Sequence, residues 1–202
     1  MNKKIVKILI FIILITALVF IFYLIFKNNN ALDNKSYNLI KNYINDSNTS
    51  LAKFFTFLGS TLFITILCII SLFIKKYRYI IISNTLIVVG ISQALKFIIQ
   101  RNRPLGINLI EETGYSFPSG HSMVSCAFYG LIIYLIFKSS LKKSVKTLLI
   151  ILLTSFILLI GISRIYLGVH YTTDVIGGYT LALIHLFLFI EFIYKKYFNK
   201  NV

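Results

Sequence analysis

Six long apolar stretches, separated by short polar segments, organise the chain. They run roughly over Ile5–Phe26, Leu51–Ile74, Tyr79–Ile99, Ser122–Phe137, Val145–Ser163 and Val175–Tyr194. A helix needs about 20 apolar residues to cross the hydrocarbon of a bilayer, and all but the fourth reach or approach that length. The fourth, Ser122–Phe137, is short and is extended by its neighbours. None alternates polar and apolar residues as barrel strands would. The pattern predicts an all-α fold, a single domain over 1–202 built as a six-transmembrane-helix bundle. Composition agrees: 57% of residues are hydrophobic and 13% charged, about half the charged share of an ordinary soluble domain. Lys3, Lys4 and Lys7 precede the first run as they would in a signal peptide. The run is longer than a signal core, however, and Lys27-Asn28-Asn29-Asn30 follows it in place of a small-residue cleavage site, so it reads as a retained helix.

Charge gives the bundle an orientation. The formal net charge is +15 with 21 basic residues. Thirteen of these lie in alternate connections: Lys3, Lys4 and Lys7; Lys75, Lys76 and Arg78; Lys138, Lys142, Lys143 and Lys146; Lys195, Lys196 and Lys200. Basic loops stay in the cytoplasm, so both termini are expected there, in a multi-pass protein of the cell membrane. The basic excess is then topology and anionic-lipid contact, not a nucleic-acid surface, and no nucleic acid is expected as a partner. In the first outer loop, Leu32, Ile40, Tyr43 and Ile44 have near-helical spacing and predict a short helix on the membrane surface. Cys68 and Cys126 lie inside apolar runs and read as small hydrophobes, without metal-ligand spacing.

Helix parity brings three polar segments to the outer face. Lys96 and Arg103-Pro104 close the third span, Pro118-Ser119-Gly120-His121 opens the fourth, and Ser163-Arg164 closes the fifth, followed by His170 and Asp174. Ionisable residues at span ends in a bundle mark function. Three cations, Lys96, Arg103 and Arg164, repel one another unless an anion lies between them, and a guanidinium fork matches phosphate oxygens. Ser119 and Gly120 begin a helix whose N-terminal amides form an anion site. His170 and Asp174 are four residues apart and share a helical face; the carboxylate fixes the ring tautomer and frees the other nitrogen as nucleophile. His121 is placed as general acid for a leaving oxygen. The set suits phosphoryl transfer, which needs chiefly positioning and charge stabilisation.

The patterns Lys-x6-Arg-Pro, Pro-Ser-Gly-His and Ser-Arg-x5-His-x3-Asp resemble the signature of the type 2 phosphatidic acid phosphatase superfamily, and all eleven signature residues match in order between Lys96 and Asp174. That family includes lipid phosphate phosphatases, bacterial undecaprenyl-pyrophosphate phosphatases and vanadium haloperoxidases. The resemblance implies a phosphohistidine at His170 oriented by Asp174. It implies that His121 protonates the leaving group and then activates water, and that Lys96, Arg103, Ser119, Gly120 and Arg164 hold the phosphate. The family's phosphatases work without a metal, and neither a metal nor any other cofactor is expected here.

The function expected is metal-independent hydrolysis of a lipid phosphate or diphosphate, with undecaprenyl pyrophosphate placed first and phosphatidylglycerol phosphate or phosphatidic acid as alternatives. Peroxidation on a vanadate bound at the same site fits six spans poorly. A non-catalytic lipid-binding protein or transporter would be expected to break the signature or to carry charge at mid-membrane depth. Other features read as structural. His185, about 16 Å beyond Asp174 at helical rise, reads as a packing contact. Arg101 reads as a loop charge or headgroup contact, and Glu111 and Glu112 as a solvated pair with a minor gating role as the alternative. Tyr115, Tyr166 and Tyr171 fit an interfacial aromatic belt, and Gly59-Ser60 a close helix contact.

Overall fold

A computed structural model describes residues 3–106 and 108–199. Lys200, counted above with the last basic cluster, lies outside the described residues, as do residues 1–2, 107 and 201–202 of the expected domain. The described residues contain no strand. The helices are α1 (Lys3–Phe26), α2 (Ala31–Ile40), α3 (Asp46–Leu58), α4 (Thr61–Ser71), α5 (Arg78–Ile99), α6 (Gly120–Lys138), α7 (Lys143–Tyr166), α8 (Thr172–Leu188) and α9 (Lys195–Asn199). A 3-10 turn at Lys41–Tyr43 follows α2, and a π-helical segment, Phe189–Tyr194, joins α8 to α9.

Five helical segments are long and apolar enough to cross a membrane, and α3 with α4, bent by 42° at their junction, make a sixth if the pair is taken as one span. The expected run Leu51–Ile74 is therefore broken. The break falls at Gly59-Ser60: Gly59 ends α3, and the Ser60 hydroxyl caps α4 by accepting from Phe63 N at 3.2 Å, as serine does at helix starts. A Cβ on Gly59 would lie 2.5 Å from Ile160 Cγ2 of α7, so the close helix contact expected here is present. The span also begins earlier than its apolar run, because Asn45 caps α3 by accepting from Asn48 N at 2.9 Å.

Helix α6 is the centre of the bundle and packs on α5, α7 and α8. Apolar side chains surround it nearly evenly, with Met123, Ala127 and Leu131 fully buried, which is the pattern of an enclosed helix. Helix α1 is peripheral, and Ile5, Ile12, Ile13 and Val19 are left outward. In water such faces would aggregate; in hydrocarbon they are matched to the solvent. Some polar groups inside the bundle are paired across helices, while Ser92 Oγ of α5 is buried without a partner among the described residues. Asn84 of α5 donates to the Ala127 carbonyl of α6 at 3.1 Å, and its Oδ1 lies 3.0 Å from His185 Nε2 of α8. His185 is thus a packing contact joining three helices. Cys68 and Cys126 are unpaired thiols. Opposite the signature end, Glu191 bonds Lys7 and Lys195, each at 2.6 Å, and ties α1 to the last span.

Helix α2 is the short helix expected in the first loop. It is more than a surface element: it packs on α7 and α8, and its Asp33 is buried.

Candidate active site

The three signature segments meet at one end of the bundle. Lys96 stands in the last turn of α5. Gln100 then takes a left-handed conformation (φ +49°), its N–H donating to Lys96 O at 3.0 Å. This is a helix-terminating turn, and it sends the chain back across the bundle end. Residues 101–119 form an irregular loop held by Ser116 N to Arg101 O (2.7 Å), Leu109 N to Leu167 O (3.0 Å) and Ser119 N to Asp174 O (3.1 Å). The last bond couples the Pro-Ser-Gly-His turn directly to the start of α8. The approach is close because Gly178 of α8 faces that turn: a Cβ there would lie 3.0 Å from the Ser119 carbonyl oxygen.

His170 is buried. Its Nε2 lies 3.3 Å from Arg103 Nη1, and its Nδ1 lies 3.4 Å from Ser116 Oγ and 3.5 Å from Asp174 Oδ2. Arginine only donates, so Nε2 accepts and the ring proton sits on Nδ1. The basic nitrogen therefore faces the cations. Burial lowers the His170 pKa most, the hydrogen bond and charge of Asp174 raise it, and the Arg164 and Arg103 charges lower it further, leaving it at about 4. The imidazole is neutral over the ordinary pH range.

Asp174 is fully buried and saturated with donors. Arg101 Nη1 donates to Oδ1 at 2.7 Å, and Tyr171 N at 2.8 Å and the Ser116 hydroxyl both donate to Oδ2. The pairing of His170 with Asp174 is present, but Ser116 stands between them. Ser116 was not singled out from the sequence; a lone serine two residues before Pro118 carries no charge signal.

Arg103 is fixed by carbonyls, donating to Val169 O (2.9 Å), Gly114 O (3.0 Å) and Thr113 O (2.8 Å). Lys96 donates to Tyr115 O. Arg164, 1% exposed, donates to Thr56 Oγ1 at 2.6 Å and to Glu112. Glu112 Oε2 also lies 3.7 Å from Arg103 Nη2. Burial pushes the Glu112 carboxyl up, but the Arg164 charge and hydrogen bond, with Arg103 and His170, outweigh it and hold it below the usual carboxylate range. The expectation of a solvated Glu112 is corrected: its carboxylate is the anion among the converging cations. Glu111 is exposed.

Arg101 is corrected likewise. It is no free loop charge, but a half-buried bridge between the buried Asp174 and Asp33, with Nη2 2.9 Å from Asp33 Oδ2 and the guanidinium 4.0 Å above the Tyr171 ring. Tyr166 also leaves the expected belt, since it is buried and its hydroxyl lies 3.0 Å from Thr49 Oγ1.

A cavity of about 930 Å³ reaches part of this set; Arg164 and Asp174 lie behind its wall and do not line it. Lys96, Arg103, Glu112, Gly120, His121 and His170 line its polar end. Ser119 is fully buried behind that wall, with its hydroxyl accepting from Ser122 at 2.9 Å and its N–H committed to Asp174. The amides left for an anion are those of the next residues, Gly120 and His121, which have no intrahelical acceptor. From the polar end the cavity runs between α4 and α5, past Val89, Leu86, Ile64 and Cys68 to Ile82. Lys96 to Ile82 is roughly 21 Å at helical rise. Among the described residues, no three His, Cys, Asp or Glu side chains group as metal ligands do.

A bundle of five or six candidate spans with a histidine–aspartate pair beside converging cations at one end defines a membrane protein of a particular fold. The chain belongs to the PAP2 superfamily, whose family model matches residues 76–198. Phosphatidylglycerophosphatase B of Bacillus subtilis (strain 168) is 43% identical over 100 residues, covering 48% of this chain and 49% of that protein, so the match spans about half of the relative's length. The crystal structure of a transmembrane PAP2 type phosphatidylglycerolphosphate phosphatase from Bacillus subtilis superposes with a TM-score of 0.74 at 29% identity, over 100% of this chain and 98% of that one. The structure of Aquifex aeolicus LpxE shares the fold, with a TM-score of 0.64 at 21% identity over 80% of this chain and 96% of that one.

Proposed function

We propose that this protein is a membrane lipid phosphatase that hydrolyses phosphatidylglycerol phosphate through a phosphohistidine at His170. The observation that carries the reading is the set of His170: Nδ1–H turned to Asp174 and Ser116, and Nε2 turned to Arg103 at the polar end of a long apolar cavity. In the first step Nε2 attacks phosphorus, the N–P bond forms and the bond from phosphorus to the lipid oxygen breaks. His121 gives its proton to that oxygen. In the second step His121 takes a proton from water as the water oxygen attacks phosphorus, and the N–P bond breaks to free phosphate and neutral His170. Lys96, Arg103 and Arg164, with the amides of Gly120 and His121, meet the phosphate charge. Ser119 and Asp174 act one layer behind, the first by holding the turn and the second by holding the ring.

The cavity between α4 and α5 fits a lipid chain whose headgroup phosphate reaches the cations. Likeness to phosphatidylglycerophosphatase B supports phosphatidylglycerol phosphate as first substrate, ahead of the undecaprenyl pyrophosphate expected from the sequence. The distribution of basic residues supports a site facing outward, with both termini cytoplasmic.

Phosphate release by the purified protein from phosphatidylglycerol phosphate, phosphatidic acid and undecaprenyl pyrophosphate, side by side, tests the reading. The expected result is preference for the first, full rate in EDTA, and loss of activity in His170→Ala and His121→Ala. A His170→Ala protein as active as wild type would overturn the mechanism. Preference for the diphosphate would overturn the substrate, and complete loss of activity in EDTA the metal independence.

A further inference from the structure

We propose that Arg101 and Asp33, neither of them in the signature, are positioning residues for the His170–Asp174 pair. The inference rests on the phosphatase reading for its catalytic consequence, and on geometry for its existence.

Asp174 Oδ2 is shared among Tyr171 N, Ser116 and His170 Nδ1. The other oxygen, Oδ1, is held by Arg101 at 2.7 Å. A carboxylate bonded at only one oxygen can swing about its Cβ–Cγ bond; bonded at both, it cannot. Arg101 therefore sets the plane in which Oδ2 meets the imidazole. Arg101 itself is held from several sides, its Nη1 also donating to Thr173 Oγ1 at 2.7 Å and its Nη2 to Asn30 Oδ1 at 3.5 Å. The left-handed turn at Gln100 directs the chain toward α8, and the Tyr171 ring lies under the guanidinium at 4.0 Å. Asp33 of α2 takes the other Nη at 2.9 Å. Asp33 is in turn clamped to α8, accepting from Thr173 N at 2.8 Å and Thr173 Oγ1 at 2.9 Å. The first loop thus reaches the nucleophile through an unbroken chain of polar contacts, α2 to Arg101 to Asp174 to His170. Two buried carboxylates on one guanidinium are costly to desolvate, and a connection needed only for packing would be cheaper as hydrophobic side chains.

On the Asp174 side, the charged groups are Arg101 from the segment after α5 and Asp33 from α2. Facing His170 from the other side are Lys96 of α5, Arg103, Glu112, His121 of α6 and Arg164 of α7; these stay constant in the variants. Removing the Arg101 charge takes away a cation that opposes protonation of the pair. Asp174 then holds the Nδ1 proton more strongly, and the imidazolium forms at higher pH.

The test compares Arg101→Met, Arg101→Lys, Asp33→Asn and the double variant Asp33→Asn/Arg101→Met in detergent, each first checked for folding by thermal unfolding. With three histidines in the chain, the His170 ring can be followed by NMR against pH, assigned by its loss in His170→Ala. In Arg101→Met the His170 titration and the acid limb of kcat/KM should both move up in pH by about 0.5 or more. The kcat should fall about tenfold or more with KM within about twofold, a coupling ordinary for contacting residues. Arg101→Lys keeps the charge, so its titration should stay near wild type while kcat falls less. The double variant should lose less than the product of the two single losses, because Asp33 acts in part through Arg101 and in part through Thr173. An unmoved His170 titration in folded Arg101→Met, or additive losses in the double variant, would overturn the proposal. If Arg101→Met does not fold, wild-type kcat in both Arg101→Lys and Asp33→Asn would overturn it. A wild-type protein inactive on every lipid counts against the phosphatase reading alone, since the NMR titration needs no turnover.

Discussion

At His170, burial and the two nearby guanidiniums act against the proton that Asp174 favours, and burial wins. The pKa near 4 has a direct kinetic consequence. As the proposed nucleophile it must be neutral, so the acid limb of kcat/KM should report its protonation in the free enzyme. As pH falls from 7, activity should hold through the ordinary histidine range and be lost only as pH approaches about 4. Rates in a three-component buffer between pH 3.5 and 9 measure this; a half-maximum near 6.5 would contradict the set of the ring. Glu112 supports a second prediction. Its carboxylate sits where a substrate phosphate would meet Arg164 and Arg103, so it competes with anions. Glu112→Gln removes that competitor and should tighten inhibition by orthovanadate roughly tenfold, the scale of one charge-assisted hydrogen bond. The same change leaves Arg164 buried without its counter-charge. The variant should therefore melt lower than wild type in anion-free buffer and recover on adding phosphate. Equal vanadate inhibition in both proteins would show that Glu112 does not occupy the anion site.

Helix α8 is positioned for the chemistry by the absence of a side chain at Gly178, which lets the Pro-Ser-Gly-His turn bond Asp174's carbonyl. A methyl there meets backbone rather than a movable side-chain tip. Gly178→Ala should therefore push the turn from α8 and lower kcat by about tenfold, in the range a small misplacement of reacting groups costs. Gly90, in the middle of α5, has open space at its Cβ position. Gly90→Ala should leave activity unchanged and raise stability by a few tenths to about 1 kcal/mol through its helix propensity. Activity assays and melting curves on the pair separate close approach from helix propensity; equal effects would refute the distinction. Elements of this kind were unevenly legible in the sequence. Apolar runs locate the spans, because hydrocarbon imposes one length on all of them. The bend at Gly59-Ser60 is muted in the sequence, since apolar runs continue on both sides and only the short Gly59-Ser60-Thr61 interruption marks it. The core of the site is legible because Lys96, Arg103, His121, Arg164, His170 and Asp174 are costly residues at span ends. Arg101, Glu112 and Asp33 are not. A charge in a connection looks solvated until the fold shows what it is folded against, and α2 returns over α8 across 140 residues of chain to bury Asp33 against Thr173.

The basic residues of the whole molecule fall into distinct populations. Twelve of the 21 lie, among the described residues, in connections at the end opposite the site, Lys27, Lys35, Lys41 and Lys53 lie around the first loop, and Lys96, Arg101, Arg103 and Arg164 are engaged by carbonyls and carboxylates at the site end. The first population outnumbers the four around the first loop, and that asymmetry predicts the site end outside. Two exposed positions read this out directly. Asn108 lies in the site loop and Ser140 in the lysine-rich connection between α6 and α7, and both are exposed. The native thiols, Cys68 and Cys126, lie within helices, and replacing both by serine or alanine leaves a silent background. In intact cells a membrane-impermeant maleimide should then label Asn108→Cys and spare Ser140→Cys, which should react only after lysis. Each variant should retain lipid phosphatase activity, so that the labelled protein is the folded one. The reverse pattern would put the phosphate-releasing end in the cytoplasm, and the lysine clusters would then serve the lipid surface without setting the orientation of the chain.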